Sequence, residues 1–293
     1  MLNERRESDR QPDEDSPLVH PACQLIADAL EQLRDVRMFE EIASEGLRVA
    51  TEAKELHQLL MENSKLPDEN PVLVGEDAVK RVEAQAQWAE AEERDEFPYL
   101  HGLLCIRIWA ILDAVVDDLV AMLLADPSKY QGQEIVRKIK VPVVDFTAAS
   151  DEEKAEMVLQ EYKRNLGASL KPGVGRFKTM LDPLGLGGPV DNVVRRTLLE
   201  CSQARHVLVH RAGFADQRLV KQCPEMNLEV GDPVEINHEQ FIGFQLAADW
   251  YLYELDRRCR AHNSLPASKW REELMLKDVK ILQSPRDADK EES

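Results

Sequence analysis

The residues best equipped for chemistry sit in one short run, Ala204-Arg205-His206-Val207-Leu208-Val209-His210-Arg211-Ala212-Gly213-Phe214-Ala215-Asp216. An imidazole exchanges protons near neutral pH, and a guanidinium grips phosphate or carboxylate oxygens through two parallel hydrogen bonds. Arg205, His206, His210 and Arg211 therefore suit proton transfer beside an anion. A stripe of Val190, Val194, Thr197, Cys201, Ala204 and Leu208 places the run at the end of a helix over 190 to about 210, with Gly213 as its stop. Measured from that stripe, ideal geometry sets Arg205 about 60° away, at the edge between core and solvent. His206 and His210 fall near ~160° and ~200°, on the outer face.

Three readings of these side chains are open. In the first, His206 and His210, four residues apart, bind a metal with a third ligand such as Asp216. Val207 stands where HExxH carries its catalytic Glu, which argues against a zincin. In the second they are surface or interface histidines with structural hydrogen bonds. The third depends on the helices around them.

Those helices are legible in the composition and the spacing. Aromatic content of 5%, charged content of 31% and long stretches of Leu, Ala, Glu, Arg and Lys favour helices over a β-sandwich. From Ile26 to Leu60 apolar side chains recur at three- and four-residue steps, through Leu30, Leu33, Val36, Phe39, Ala43 and Leu47, predicting one long, one-faced helix. Pro67 and Pro71 mark a turn, and a second helix is expected from Glu76 to about Glu96. Residues 18–96 then make an antiparallel arm whose stripe packs either on the following domain or on a second copy of the chain. Beyond Pro98, residues Leu104, Ile108, Ile111, Leu112, Val115, Leu119, Met122 and Leu123 share one wide sector, the strongest core helix in the sequence. Asp113 and Asp117 fall opposite it, as a solvated face or as an acid/base or metal pair.

Asp126 to Ala149 reads as a loop-rich connection with a short strand over Lys140 to Phe146. A helix over Asp151 to Leu166, capped by Ser150, follows. Gly167 to Pro189 holds six of the thirteen glycines, but neither Pro172-Gly173-Val174-Gly175 nor Gly185-Leu186-Gly187-Gly188 fits GxxxxGK[ST], so a flexible linker is expected rather than a phosphate loop. The last main helix opens at Asn237, with Gln240 at the capping-box position, and runs to about His262. Trp250, Tyr251 and Tyr253 on that helix read as core. Residues 1–17 and 284–293, rich in charge, are expected to be disordered tails.

A net charge of −18 argues against the whole surface being a nucleic-acid platform. Between Lys163 and Arg211, however, nine basic residues (Lys163, Arg164, Lys171, Arg176, Lys178, Arg195, Arg196, Arg205, Arg211) face three acidic ones (Asp182, Asp191, Glu200), a local +6 that leaves −24 for the rest. Such an island either meets a phosphate backbone or is neutralised by neighbouring carboxylates. The most apolar stretch, Leu103 to Leu124, contains Arg107, Asp113, Asp117 and Asp118, so no membrane span is expected. Five cysteines, an odd number with no CxxC pair, fit a reducing compartment and core positions. With no apolar secretory core in the first seventeen residues, the expected location is cytoplasmic.

Arg-x4-His closing an amphipathic helix, continued as His-Arg-Ala-Gly-Phe-Ala-Asp, resembles the Rx4-6H signature of the HEPN domain superfamily, often written RNxxxH and followed by Gly. The likeness spans roughly Phe97 to His262: a long first helix, an intervening helix, the motif helix, a loop and a capped closing helix. His206 departs from the common Asn. The resemblance implies an all-α, HEPN-like bundle over 97–262, preceded by the arm and followed by a C-terminal extension over 263–293. Active HEPN members are metal-independent ribonucleases that work as dimers. The implied reaction is attack of a ribose 2′-hydroxyl on the adjacent phosphate, with His210 as acid/base, Arg205 as anion clamp and His206 as positioning group or second proton carrier. Arg211, Arg176, Lys178, Arg195 and Arg196 are then the RNA-backbone contacts. No cofactor and no metal are implied. The implied partners are RNA, a second copy of the chain and, for a toxin or phage-defence effector, a cognate antitoxin or regulatory partner. One histidine cannot readily serve both ends of the transfer, and a two-fold dimer supplies a second. A non-catalytic HEPN-type module binding RNA, a nucleotide or a protein is the competing expectation.

Overall fold

The computed structural model describes residues 20–52, 59, 76–167 and 171–283. Both charged tails and the Pro67/Pro71 turn lie outside the described residues. Every regular element described is helical: α1 (Pro21–Thr51), α2 (Glu76–Arg94), α3 (Pro98–Leu124), α4 (Glu134–Arg137), α5 (Val143–Ala148), α6 (Asp151–Leu166), α7 (Val174–Leu181), α8 (Asn192–His210), α9 (Gln217–Gln222), α10 (His238–His262) and α11 (Lys269–Gln283). The fold is all-α. Its one β feature among the described residues is an isolated bridge between Phe214 and Pro233.

The centre is α3, about 40 Å long by its 27 residues. It starts abruptly because Glu96 and Phe97 both take left-handed backbone angles and Pro98 supplies the first helical residue. It packs against α1, α6, α8 and α10 at once. Its buried surface therefore runs most of the way round, from Cys105 and Trp109 to Val116 and Val120, rather than along a single sector, while Met122 stays at the surface. Each Leu or Ile buried there contributes about 2 kcal/mol.

The α1 stripe packs on α3 and α10, which settles the choice between a domain and a second copy for the part of the helix described. Arg48 pairs with Glu93, and farther along α1 Thr51 lies beside Glu90, so α1 and α2 run antiparallel. The stripe differs from its expected course at one place. Ile26, Leu30, Leu33 and Val36 are buried, but Phe39 is 57% exposed and Glu40 is 6% exposed. At 100° per residue Glu40, not Phe39, continues the line from Leu33 and Val36. The apolar residue was out of phase and the carboxylate in phase.

Two expected caps are present as reciprocal boxes: Glu153 N donates to Ser150 Oγ while Ser150 N donates to Glu153 Oε2, and Asn237 and Gln240 do the same at α10. The strand expected over Lys140 to Phe146 is absent; Val143–Ala148 is the short helix α5 instead. Pro142 enters it in an extended conformation, and Thr147 Oγ1 bonds back to Val143 O at 2.6 Å. Val143 and Val144 stand 77% and 81% exposed with no neighbouring strand to pair with, and β-branched residues favour strands only where a sheet receives them.

The glycine-rich stretch is also more ordered than a linker. It contains α7 and a packed turn in which Leu184 and Leu186 are buried. A Cβ on Gly187 would lie 1.6 Å from Asp182 Oδ1 and 2.7 Å from Asp182 Cα, so glycine is needed there for close approach rather than for flexibility. Arg258 fastens the turn from α10, donating to Pro189 O at 2.6 Å and to Leu186 O at 3.4 Å. Beyond α10, α11 folds back on α10 and α8 and buries Leu282.

Candidate functional site at the end of α8

Asp191 caps α8 by accepting from Val193 N, and the helix ends where Arg211 N and Gly213 N both donate to Val207 O, at 2.8 and 3.1 Å. Ala212 and Gly213 then carry positive φ, which turns the chain sharply out of the helix. Three backbone bonds pin the exit: Val234 N to Gly213 O at 2.7 Å, Ala215 N to Asp232 O at 2.8 Å and Gly231 N to Ala215 O at 2.9 Å. The last turn of α8 is thus held from below by buried Ala204 and Val207 and from behind by the 231–234 segment.

On this turn Arg205 and His206 are half-buried and His210 is exposed. Arg205 Nη1 lies 3.4 Å from His210 Nε2, and the rings of His206 and His210 are 5.1 Å apart at a tilt of 54°. Arg205 Nε is buried and has no acceptor among the described residues. Burial pushes the His206 imidazole below its ordinary value, helped by the nearby positive charge of Arg218. His206 is therefore a neutral base at pH 7, next to a guanidinium and a second imidazole. Arg218, at the start of α9, had no signal in the motif and reaches this turn only through the Gly213 bend.

The other sequence candidates separate from this cluster. Arg211 Nε sits 3.7 Å from Asp216 Oδ2, and the same aspartate caps α9 by accepting from Leu219 N at 2.9 Å. Asp216 is thereby committed to these partners rather than to a metal with His206 and His210. Arg176 lies against Asp113 at 3.2 Å and Asp117 at 3.8 Å, Lys163 pairs with Asp117, and Lys178 pairs with Asp182 at 2.8 Å. Asp113 and Asp117 consequently form a half-buried ion cluster, not a solvated face. Burial pushes the Asp113 carboxyl up against the opposing pull of Arg176 and, more weakly, of Arg205. Much of the basic island is neutralised within the chain. Arg195, bonded to Asn192 Oδ1 at 3.2 Å, and half-buried Arg196 belong to the first turns of α8, about 13 Å along the axis from Arg205.

Among the described residues one group has the composition and spacing of a metal site, and it is not HxxxH. Glu40 on α1, His101 on α3 and His238 at the start of α10 bring one ligand atom each within 4.8 Å of one another. These three residues escape motif reading because they come from three helices. The available signal was the carboxylate of Glu40 in phase with an apolar stripe. All five cysteines are buried free thiols, and no described helix is long and apolar enough to cross a membrane. No family model, curated protein or solved structure matches the chain.

Proposed function

We propose that the chain is a HEPN-type endoribonuclease that needs no metal for cleavage and works as a homodimer. The observation carrying this reading is the convergence of Arg205 and His210 at 3.4 Å, with His206 beside them, on an exposed helix end. A guanidinium and two imidazoles are a sufficient set for transfer of a phosphoryl group from the leaving 5′-oxygen to the 2′-oxygen. One imidazole accepts the 2′-hydroxyl proton, another donates to the leaving oxygen, and the guanidinium balances charge on the phosphorane. Neutral His206 fits the acceptor. Arg205 Nη1, directed at His210 on the outer side of the helix end, is the donor a phosphate oxygen would meet.

The cluster lies on an exposed helix end, where a second copy would complete a cleft. Val209 and Phe214, 44% and 52% exposed within the same run, offer apolar surface for a two-fold contact. A toxin or defence role and a cytoplasmic location follow the same reading. The same exposed pair also favours the second reading, a non-catalytic HEPN-type module whose helix end receives a protein partner.

RNA cleavage in EDTA separates the two. The nuclease yields 2′,3′-cyclic phosphate ends that disappear in His210→Ala. Intact RNA across many substrates, with the protein dimeric, leaves the binding module.

A further inference from the structure

Glu40, His101 and His238 come from α1, α3 and α10, and their geometry fits either a buried imidazolium–carboxylate pair or a bound cation. His101 is completely buried, and its Nδ1 faces Ile236 O at 3.2 Å. A carbonyl only accepts, so Nδ1 carries the hydrogen. In the neutral ring Nε2 is then a bare lone pair, yet it points at the carboxylate oxygen Glu40 Oε1 3.2 Å away. Two acceptors held at that distance in a buried place need a positive centre between or beside them, a proton or a metal cation. The third group, His238, brings Nδ1 to 3.7 Å from the same Glu40 oxygen.

The two separations from Glu40, 3.2 and 3.7 Å, are close to those of a tetrahedral zinc ion, and all three ligand atoms lie within 4.8 Å of one another. Bonds of about 2.0–2.2 Å at tetrahedral angles place neighbouring ligand atoms roughly 3.3–3.6 Å apart. The carbonyl of Ile236 performs the outer task that metal-bound histidines require, fixing tautomer and ring orientation, and Phe241 stacks on the His101 ring at 4.9 Å. Two histidines and one glutamate form a three-ligand set that leaves the fourth position open. Here a cavity of about 560 Å3 adjoins the group, lined by Glu40 and His238 together with Glu41, Glu93 and Glu96. Arg48 also lines it, but its guanidinium is directed at Glu45 and Glu93, at 3.3 and 3.7 Å. The entry is therefore negatively charged, as a cation path should be.

We infer that Glu40, His101 and His238 bind one divalent transition-metal ion, zinc by preference, which fastens α1, α3 and α10 together and presents its open coordination position to the acidic cavity. The ion has no part in the RNA reaction, and this inference stands whether or not that reaction occurs.

The test uses full-length protein stripped with a chelator and titrated with Zn(II) alone. The wild type is expected to take up about one equivalent per chain, with a raised thermal midpoint that chelator reverses. His238 is exposed, so His238→Ala should keep the wild-type circular dichroism while binding zinc at least about 100-fold more weakly. Glu40→Gln, which preserves side-chain volume, should do the same. His210→Ala should bind like the wild type. Three results overturn the inference: a wild type that takes up no zinc, in which case a buried imidazolium–carboxylate pair accounts for the contact; full uptake by folded His238→Ala; or uptake lost in His210→Ala instead, which assigns the ion to His206 and His210.

Discussion

Arg205 and His210, five residues apart on one helix, meet side chain to side chain, with Nη1 of the arginine 3.4 Å from Nε2 of the histidine. Because guanidinium only donates, the imidazole is the acceptor in that contact, and its Nε2 lone pair is held toward the cation. A phosphate entering between them would take the arginine's hydrogens and release the histidine for proton transfer.

On the proposed ribonuclease mechanism, replacing either partner should slow RNA cleavage strongly without unfolding the helix end. His210→Ala and Arg205→Ala are each expected to lower the rate on RNA by about 100-fold or more, measured in EDTA at pH 7. His206→Asn keeps a polar side chain but removes the proton acceptor, so it should lower the rate to a similar degree. A variant pair that cleaves as fast as the wild type removes both residues from the mechanism.

Phe214 reports on assembly. A Phe214→Asp substitution places a charge on the surface expected to face a second copy, while the backbone bridge to Pro233 stays available. Sedimentation velocity should show the dimer becoming monomer, with cleavage lost in parallel and the thermal midpoint little changed. An unaltered dimer would place the interface elsewhere.

How far these sites could be read in advance differed by locality. The α3 and α10 cores and both capping boxes follow from local periodicity and cap chemistry, which depend on neighbours within four residues. The shared outer face of His206 and His210 was likewise legible, but the Arg205–His210 contact was not, since ideal geometry sets those two side chains about 140° apart. Val143 and Val144 misled because their strand preference needs a sheet the fold never supplies. Asp113 and Asp117 looked solvated until α6 and α7 delivered Lys163 and Arg176 across them. Glu40, His101 and His238 are the extreme case: no spacing rule joins residues from three helices, and only the unexpected phase of Glu40 marked the place.

Stability above about pH 6 should be limited by Asp278. Burial, reinforced by the charge of Asp249, pushes its carboxyl from 3.8 to about 6. A carboxyl raised in the folded state favours folding below its unfolded value and withdraws that support as pH rises through about 6. Asp278→Asn should thus stabilise the protein at pH 7.5, by up to about 3 kcal/mol, and have little effect at pH 4. Urea denaturation at the two pH values measures the difference; equal effects at both would contradict the burial.

Glu254, 3% exposed, accepts from Arg258 Nε at 2.8 Å and from Arg257 Nε and Nη2 at 2.7 Å. The two arginines should differ sharply on removal. Arg258→Ala also strips Pro189 O and Leu186 O of their donor and is expected to cost about 3 kcal/mol, whereas Arg257→Ala, at a half-exposed partner, should cost under ~1 kcal/mol. Comparable losses in urea midpoint would show that the turn at Pro189 does not depend on Arg258.

The three backbone bonds behind the Gly213 exit give the molecule a mechanical coupling. The strip that runs from Asp232 to His238 is stitched at one end to the chain leaving the Arg205–His210 turn, and at the other supplies Ile236 O and His238 to the group around His101. The Leu208 side chain, which lies against both Gly102 and Gly213, spans the same interval, so the α8 exit and the neighbourhood of His101 share a backbone strip and a packed side chain.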